Sequence, residues 1–445
     1  MQITTEKPIP TYPSEQLERH ADVGSATPIS FRGYTAESLL RAYHTAGPVF
    51  ETEINGVAEI ILAGMDANEQ AWRSPDDWSY HHAVAVFREE LSKVHLTQLD
   101  GAPHRRKRRL LNKGFKNSSV MSGMEATARE IAEGLEAMVG TEVELHEALM
   151  KVFTRAQAAS SVKVDLDDEA IERMVDFEEG FIGALFMTPE ERELVYNRAA
   201  YVGKKEVVLN QLHSIVKARL EGATGDDLFD GVIHQKTSEA VEPLSEEELI
   251  YDAYLMLIAG TGNTSKLLCY LVDTLARNPS WTAELRAEIG EFDPTRMARG
   301  MQEFPLLKAT LMETERLFPA APVLPRVPAR DIEFLGYPLA TGTHCLHQVA
   351  LMHYDETIYE DPFTFQPRRW LEHDYPKAAH GTFGGGSHVC LGMNVTRVQM
   401  PLAIASLLSG YDFEVTQAPR MENYAYPGEV DSQTLRINVK LSKRS

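Results

Sequence analysis

Phe383-Gly384-Gly385-Gly386-Ser387-His388-Val389-Cys390-Leu391-Gly392 sets a lone cysteine in a glycine-rich turn, two residues after a histidine. The metal-binding form of cysteine is the thiolate, which backbone N–H donors, positive charge and the metal itself stabilise. Glycines let the backbone turn such donors toward sulfur. A cysteine near a loop, taken alone, reads as a small buried side chain. The residues around Cys390 argue instead for a prepared axial ligand.

Phe383, Gly386, His388, Cys390 and Gly392 fit the signature Phe-x-x-Gly-x-(Arg/His)-x-Cys-x-Gly. On this segment the chain resembles the cytochrome P-450 family of heme-thiolate monooxygenases. The resemblance implies heme b (iron protoporphyrin IX) held by the Cys390 thiolate, with Phe383, Gly384 and Gly392 framing the cofactor. It also implies the family fold, mainly α with a small β-rich part, with heme between a long oxygen-binding helix and the cysteine loop.

The rest of the chain agrees with that fold class. Residues 50–62 alternate in polarity around Asn55-Gly56, a dipeptide suited to a tight hairpin turn. Residues 125–217 then take helical spacing, which continues through 246–277 and 304–317. Strand patterns return at 332–335 and 344–350, and again near 413–415 and 435–441. The length of 445 residues would make roughly three average domains, yet no linker, repeat or low-complexity tract divides them. One domain over 1–445 is expected, with 1–30 a polar N-terminal extension.

Composition narrows the function. A formal charge of −21 disfavours nucleic acid as a partner. The three cysteines lack paired or zinc-ligand spacing, which argues against a disulfide framework. Residues 1–30 contain neither a signal-peptide apolar region nor a membrane anchor, so a soluble, cytoplasmic protein is expected.

Three further constellations extend the resemblance. Glu313 and Arg316 lie three apart on one helix face, and Pro367-Arg368-Arg369-Trp370 follows before the cysteine loop. An isolated Glu-x-x-Arg is ordinarily a solvated pair. In the family it joins a later arginine, which implies a structural triad of Glu313, Arg316 and Arg369. The family usually has Glu where Arg368 stands. The basic run from His104 to Arg109 reads by itself as a solvated helix face. The resemblance gives His104 and Arg108, with Arg326 and His388, to the two heme carboxylates. It leaves Arg105, Arg106, Lys107 and Arg109 to dock a ferredoxin or flavodoxin-type electron donor.

The third constellation departs from the pattern. Residues 255–265 match the oxygen-binding helix at Ala259 and Gly260, but Gly262 occupies the usual acid position and Asn263 the alcohol position. A one-residue shift pairs Asn263 with Thr264 instead. Gly260, Asn263 and Thr264 are thus the candidate catalytic positions, and the two glycines permit a bend or opening of the helix. Without the acid–alcohol pair, proton delivery falls to Asn263, Thr264, ordered water or a polar substrate group. Trp78, Tyr80, Phe87, Phe177, Phe181, Leu185 and Phe186 lie in segments that the family uses to line its pocket; ordinary core positions are the other reading of each.

These features imply a monooxygenase that activates dioxygen and hydroxylates, or oxidatively dealkylates, a small to medium apolar molecule such as a terpenoid or other natural product. An electron-independent peroxygenase or isomerase is the first alternative, motivated by the missing acid–alcohol pair. A noncatalytic heme-binding or recruiting protein is the second.

Overall fold

A computed structural model describes residues 7–20, 29, 31–54, 56–184, 189–223, 227–234, 242–298, 301–424 and 432–444. Most of the expected N-terminal extension, Asn55 of the hairpin turn, and the pocket candidates Leu185 and Phe186 lie outside the described residues. The chain is mainly helical with nine described strands, and it divides into two compact units.

The first unit comprises 1–85, 97–105 and 309–390. Its sheet has the order β1-β2-β7-β4, built from β1 (Val49–Ile54), β2 (Val57–Leu62), β7 (Cys345–His347) and β4 (Leu324–Arg326). β1 and β2 form the antiparallel hairpin read from the alternating segment, and β2 pairs parallel with β7. β5 (Ile332–Phe334) and β6 (Tyr337–Leu339) form a second hairpin. Trp78 packs edge-on against Phe334 at 5.4 Å in the core beside these strands. The helix Met65–Arg73 is pinned by Asn68. The Asn68 amide donates to the carbonyls of Val349 and Ala378, and its oxygen meets His347 Nε2 at 2.7 Å.

Glu313, on the helix Pro305–Leu317, is fully buried in the same unit. Arg316 reaches it with two nitrogens, at 2.8 and 2.9 Å, and Arg369 with one at 3.2 Å. Trp370 Nε1 and the Gln366 N–H also donate to it, both at 2.9 Å. These donors hold the Glu313 carboxyl below its usual range against the opposing effect of burial. Arg316 spends a further nitrogen on the carbonyls of His353 and Pro362.

The second unit comprises 86–96, 106–308 and 391–445. Its helices include Met124–Ala137, Leu145–Gln157, Asp168–Ala184, Ala199–Leu220 and Met393–Gly410. Its sheet joins β3 (Glu142–Glu144), β9 (Ser432–Lys443) and β8 (Tyr411–Tyr424), with β9 central. The apolar stretch 246–277 is two helices, Glu246–Leu257 and Thr261–Arg277. Ser245 and Glu248 cap the first reciprocally, each side chain taking the other's backbone N–H. The break falls at Gly260, whose φ of +98° is the left-handed conformation that glycine adopts without a side-chain clash. The Thr261 and Ser265 hydroxyls donate to the carbonyls of Ile258 and Gly262, satisfying backbone groups at the interruption. By length and hydropathy Glu246–Arg277 could cross a membrane, but 67% of its most apolar window is buried within the protein.

Candidate heme-thiolate site

The turn that carries Cys390 is shaped from both ends. Gly384 and Gly386 adopt φ of +67° and +65°, and the Cys390 N–H closes the turn on the Phe383 carbonyl at 2.9 Å. Trp72 explains the third glycine. A Cβ on Gly385 would stand 2.2 Å from the indole, and one on Gly386 2.3 Å from the Trp72 carbonyl. The turn therefore lies flat against the helix Met65–Arg73 and presents Cys390 exposed, outside any disulfide. Gly392, two residues on, precedes the helix Met393–Gly410.

Beside this turn the His388 ring stacks between Tyr80 and His104, at 3.6 and 3.7 Å between centroids. Asp100 arranges the approach, accepting from the Ser79 hydroxyl and the Tyr80 N–H, both at 2.7 Å. Arg326 lies over the other side of the arrangement, its guanidinium 4.9 Å from the Tyr80 centroid. The arginine is 6% exposed and its Nε is buried without a hydrogen-bond partner. Burial raises the Tyr80 phenol and keeps it a donor. A buried guanidinium nitrogen without an acceptor, next to two imidazoles and a phenol, is a donor set that calls for an anion. Two carboxylates such as those of heme b would fit that donor set, and the exposed Cys390 sulfur, as a thiolate, would fit an iron ligand.

The other sequence candidates have their own surroundings. Arg108, four positions beyond His104 on the helix Gly101–Gly114, directs its Nε to Asn112 at 3.0 Å. Ala259 and Gly260 form the break of the long helix; beyond it Asn263 is exposed and Thr264 is 3% exposed. Phe177 and Phe181 are core residues packed with Tyr254, and Phe87 meets Phe181 edge-on. Contrary to what the resemblance implies, Lys107 is not among the docking cations. It is fully buried, paired with Asp252 at 2.9 Å, and donates to the Val94 carbonyl. A side chain enclosed in this way cannot meet a partner. Arg106 is half-buried on Glu248, whereas Arg105 and Arg109 are exposed. Two contributors escaped the motif reading, Trp72 and the stacking role of Tyr80. Neither belongs to a local pattern, although three consecutive glycines do signal a close backbone approach.

An exposed cysteine on a glycine turn, with a cluster of hydrogen-bond donors beside it, fits a heme-thiolate class of site. Comparisons with known proteins agree with it. The profile of the cytochrome P450 family matches residues 23–426. A probable cytochrome P450 516A1 of Dictyostelium discoideum is 31% identical over 225 residues, covering 49% of this chain and 46% of the relative. Cyclooctat-9-en-7-ol 5-monooxygenase of Streptomyces melanosporofaciens is 24% identical over 331 residues, covering 69% of this chain and 70% of the relative. The chain spans about half the length of the Dictyostelium relative and of several others. The solved structure of retinoic acid-bound cyanobacterial CYP120A1 superposes with a TM-score of 0.76 at 22% identity, covering 98% of this chain and all of that one. The chain belongs to the cytochrome P450 family, whose members carry heme on a cysteine thiolate.

Proposed function

We propose that this chain is a monooxygenase that inserts one atom of dioxygen into a small to medium apolar substrate, by hydroxylation or oxidative dealkylation. The observation that carries the reading is the presentation of Cys390 on the turn built against Trp72. Heme bound here would supply oxygen activation, which an electron-rich thiolate sulfur favours. The chain's own part is binding and orientation. Cys390 would hold the metal, while His104, His388 and Arg326 would donate to the cofactor's carboxylates, with Arg108 following on the same helix as His104. Asn263 orients oxygen and water at the helix break, with Thr264 as its neighbour in that role. Hydroxylation of a terpenoid or similar natural product is supported by the relative named for cyclooctat-9-en-7-ol. A ferredoxin or flavodoxin supplies the electrons at the exposed cations of the Gly101–Gly114 helix. We read the chain as one folding domain acting in the cytoplasm.

The test is optical. Titrating the ferric protein with terpenoids, aromatic ethers and fatty acids is expected to give a saturable Soret shift with one class. No shift with any class would reject the small-molecule substrate. Cys390→Ser is expected to abolish the thiolate signature of the reduced carbon monoxide complex, and an unchanged spectrum would remove Cys390 as the ligand.

A further inference from the structure

The long helix carries no acid where the family keeps one, since Gly262 has no side chain and Asn263 bears an amide. A Cβ on Gly262 would point at Met150, 3.7 Å away on the helix Leu145–Gln157. One turn earlier on that neighbouring helix stands His146, 1% exposed, with neither ring nitrogen in hydrogen-bond geometry with a partner. Two acceptors flank the ring. The Gly262 carbonyl lies beside it, and Glu179 Oε1 is 3.8 Å from Nδ1. Glu179 in turn meets Arg436 Nη1 at 3.4 Å, and the same nitrogen meets Glu144 Oε2 at 3.2 Å. Arg436 and Glu144 are 21% and 23% exposed, so the series begins at solvent and ends at the interrupted helix.

We propose that His146 is a proton-relay residue that does the work of the missing acid. Glu179 passes a proton to Nδ1 while Nε2 releases one to a water beside the Gly262 carbonyl, a water that Asn263 or Thr264 orients. The ring is neutral before and after each transfer. A ring flip about Cβ–Cγ exchanges the nitrogen that faces the donor, so the next proton leaves from Nδ1 as Nε2 is reprotonated and the starting tautomer returns. Glu179 regains its proton from solvent at the Arg436–Glu144 edge, while dioxygen and electrons come from the monooxygenase reaction on which this inference rests. Charge around the ring suits the role. Burial, with Lys266 and Arg436 nearby, drives the imidazole pKa down to about 3, against the Gly262 carbonyl, which favours protonation. A neutral ring both accepts and donates; an imidazolium could only donate. Glu179 is the acid beside Nδ1, and the Glu144 carboxylate accepts from the His146 backbone N–H at 3.1 Å.

The experiment uses the heme-loaded full chain with ferredoxin and its reductase as donor, and dioxygen as the probe. In His146→Gln, oxygen consumption is expected to fall roughly a hundredfold, the low end of what proton transfer contributes, with a larger solvent isotope effect. The rate of heme reduction and the thermal midpoint are expected to hold. Glu179→Gln should fall similarly, and the double variant no further, because both act on one path. A readout independent of turnover is ¹⁵N-histidine NMR of the ferrous carbon monoxide complex. The resonance lost in His146→Gln should change tautomer in Glu179→Gln, which a purely structural histidine would not do. Wild-type oxygen consumption in His146→Gln, or additive losses in the double variant, would overturn the relay alone. Absence of oxygen consumption by the wild-type holoprotein would overturn the monooxygenase reading beneath it.

Discussion

Lys107 and Arg109 stand two positions apart in one basic run, yet one is enclosed with Asp252 and the other faces solvent. Burial raises the Asp252 carboxyl to about 6, with Lys107 pulling it down. Removing the ammonium leaves a buried carboxylate without compensation, a change that typically costs about 3–5 kcal/mol. Lys107→Met is therefore expected to lower the thermal midpoint sharply above pH 7 and less at pH 5, where Asp252 protonates. Arg109→Gln should change stability by less than about 0.5 kcal/mol. Equal midpoints for the two variants would refute the burial argument. A run of cations hides which rung turns inward, although Leu110 and Leu111 lie three and four positions beyond Lys107 and mark the buried face. Cys390 was legible because its glycines and histidine are local to it. His146 and Trp72 were not, since their partners are distant in sequence.

At the scale of elements, the helix Asp168–Ala184 carries an acid into the interior opposite the long helix. Glu178 is 2% exposed and accepts a hydrogen bond from the Tyr254 hydroxyl. Burial raises its carboxyl from 4.5 to about 7, against the lowering influence of Tyr254 and Lys266. The folded chain thus holds a proton that the unfolded chain has released. The stability contribution is fully present below pH 4.5 and is lost as pH rises toward 7, a span worth about 3 kcal/mol. Glu178→Gln should flatten the decline in thermal midpoint between pH 5 and pH 8, leaving the variant ahead of wild type at the alkaline end. A parallel decline in both proteins would show that another group governs it. Long periodic helices and the β1–β2 hairpin were readable because their patterns are repeated within each element. The split at Gly260 was foreshadowed only as a possible bend, since an apolar run reads the same through a break. β4 escaped detection because three residues containing Pro325 carry no alternation.

Over the whole chain, each compact unit is assembled from three separate segments, so neither is a continuous stretch that could be excised and refolded. A single cooperative unfolding transition is expected from that connectivity, and two separate calorimetric transitions would refute it. The charge of the whole acts differently from its contacts. At −21 the protein would repel the proposed donor, were it an acidic ferredoxin, in general, and association would then depend on a local exception to the field. The helix Gly101–Gly114 supplies one, with Arg105, Arg109 and Lys113 exposed at intervals of four. Arg105 already holds Asp76 at 2.6 Å, but this exposed pair is worth little and can exchange partners. Replacing Arg105 and Arg109 together by Gln should slow reduction by ferredoxin roughly tenfold at low ionic strength. Near 1 M salt the Debye length shrinks to about 3 Å, so the variant and wild type should converge. Stopped-flow reduction rates across a salt series decide the matter. A deficit that persists at high salt would mean that the arginines shape the folded site, and identical rates at low salt would move docking to another face.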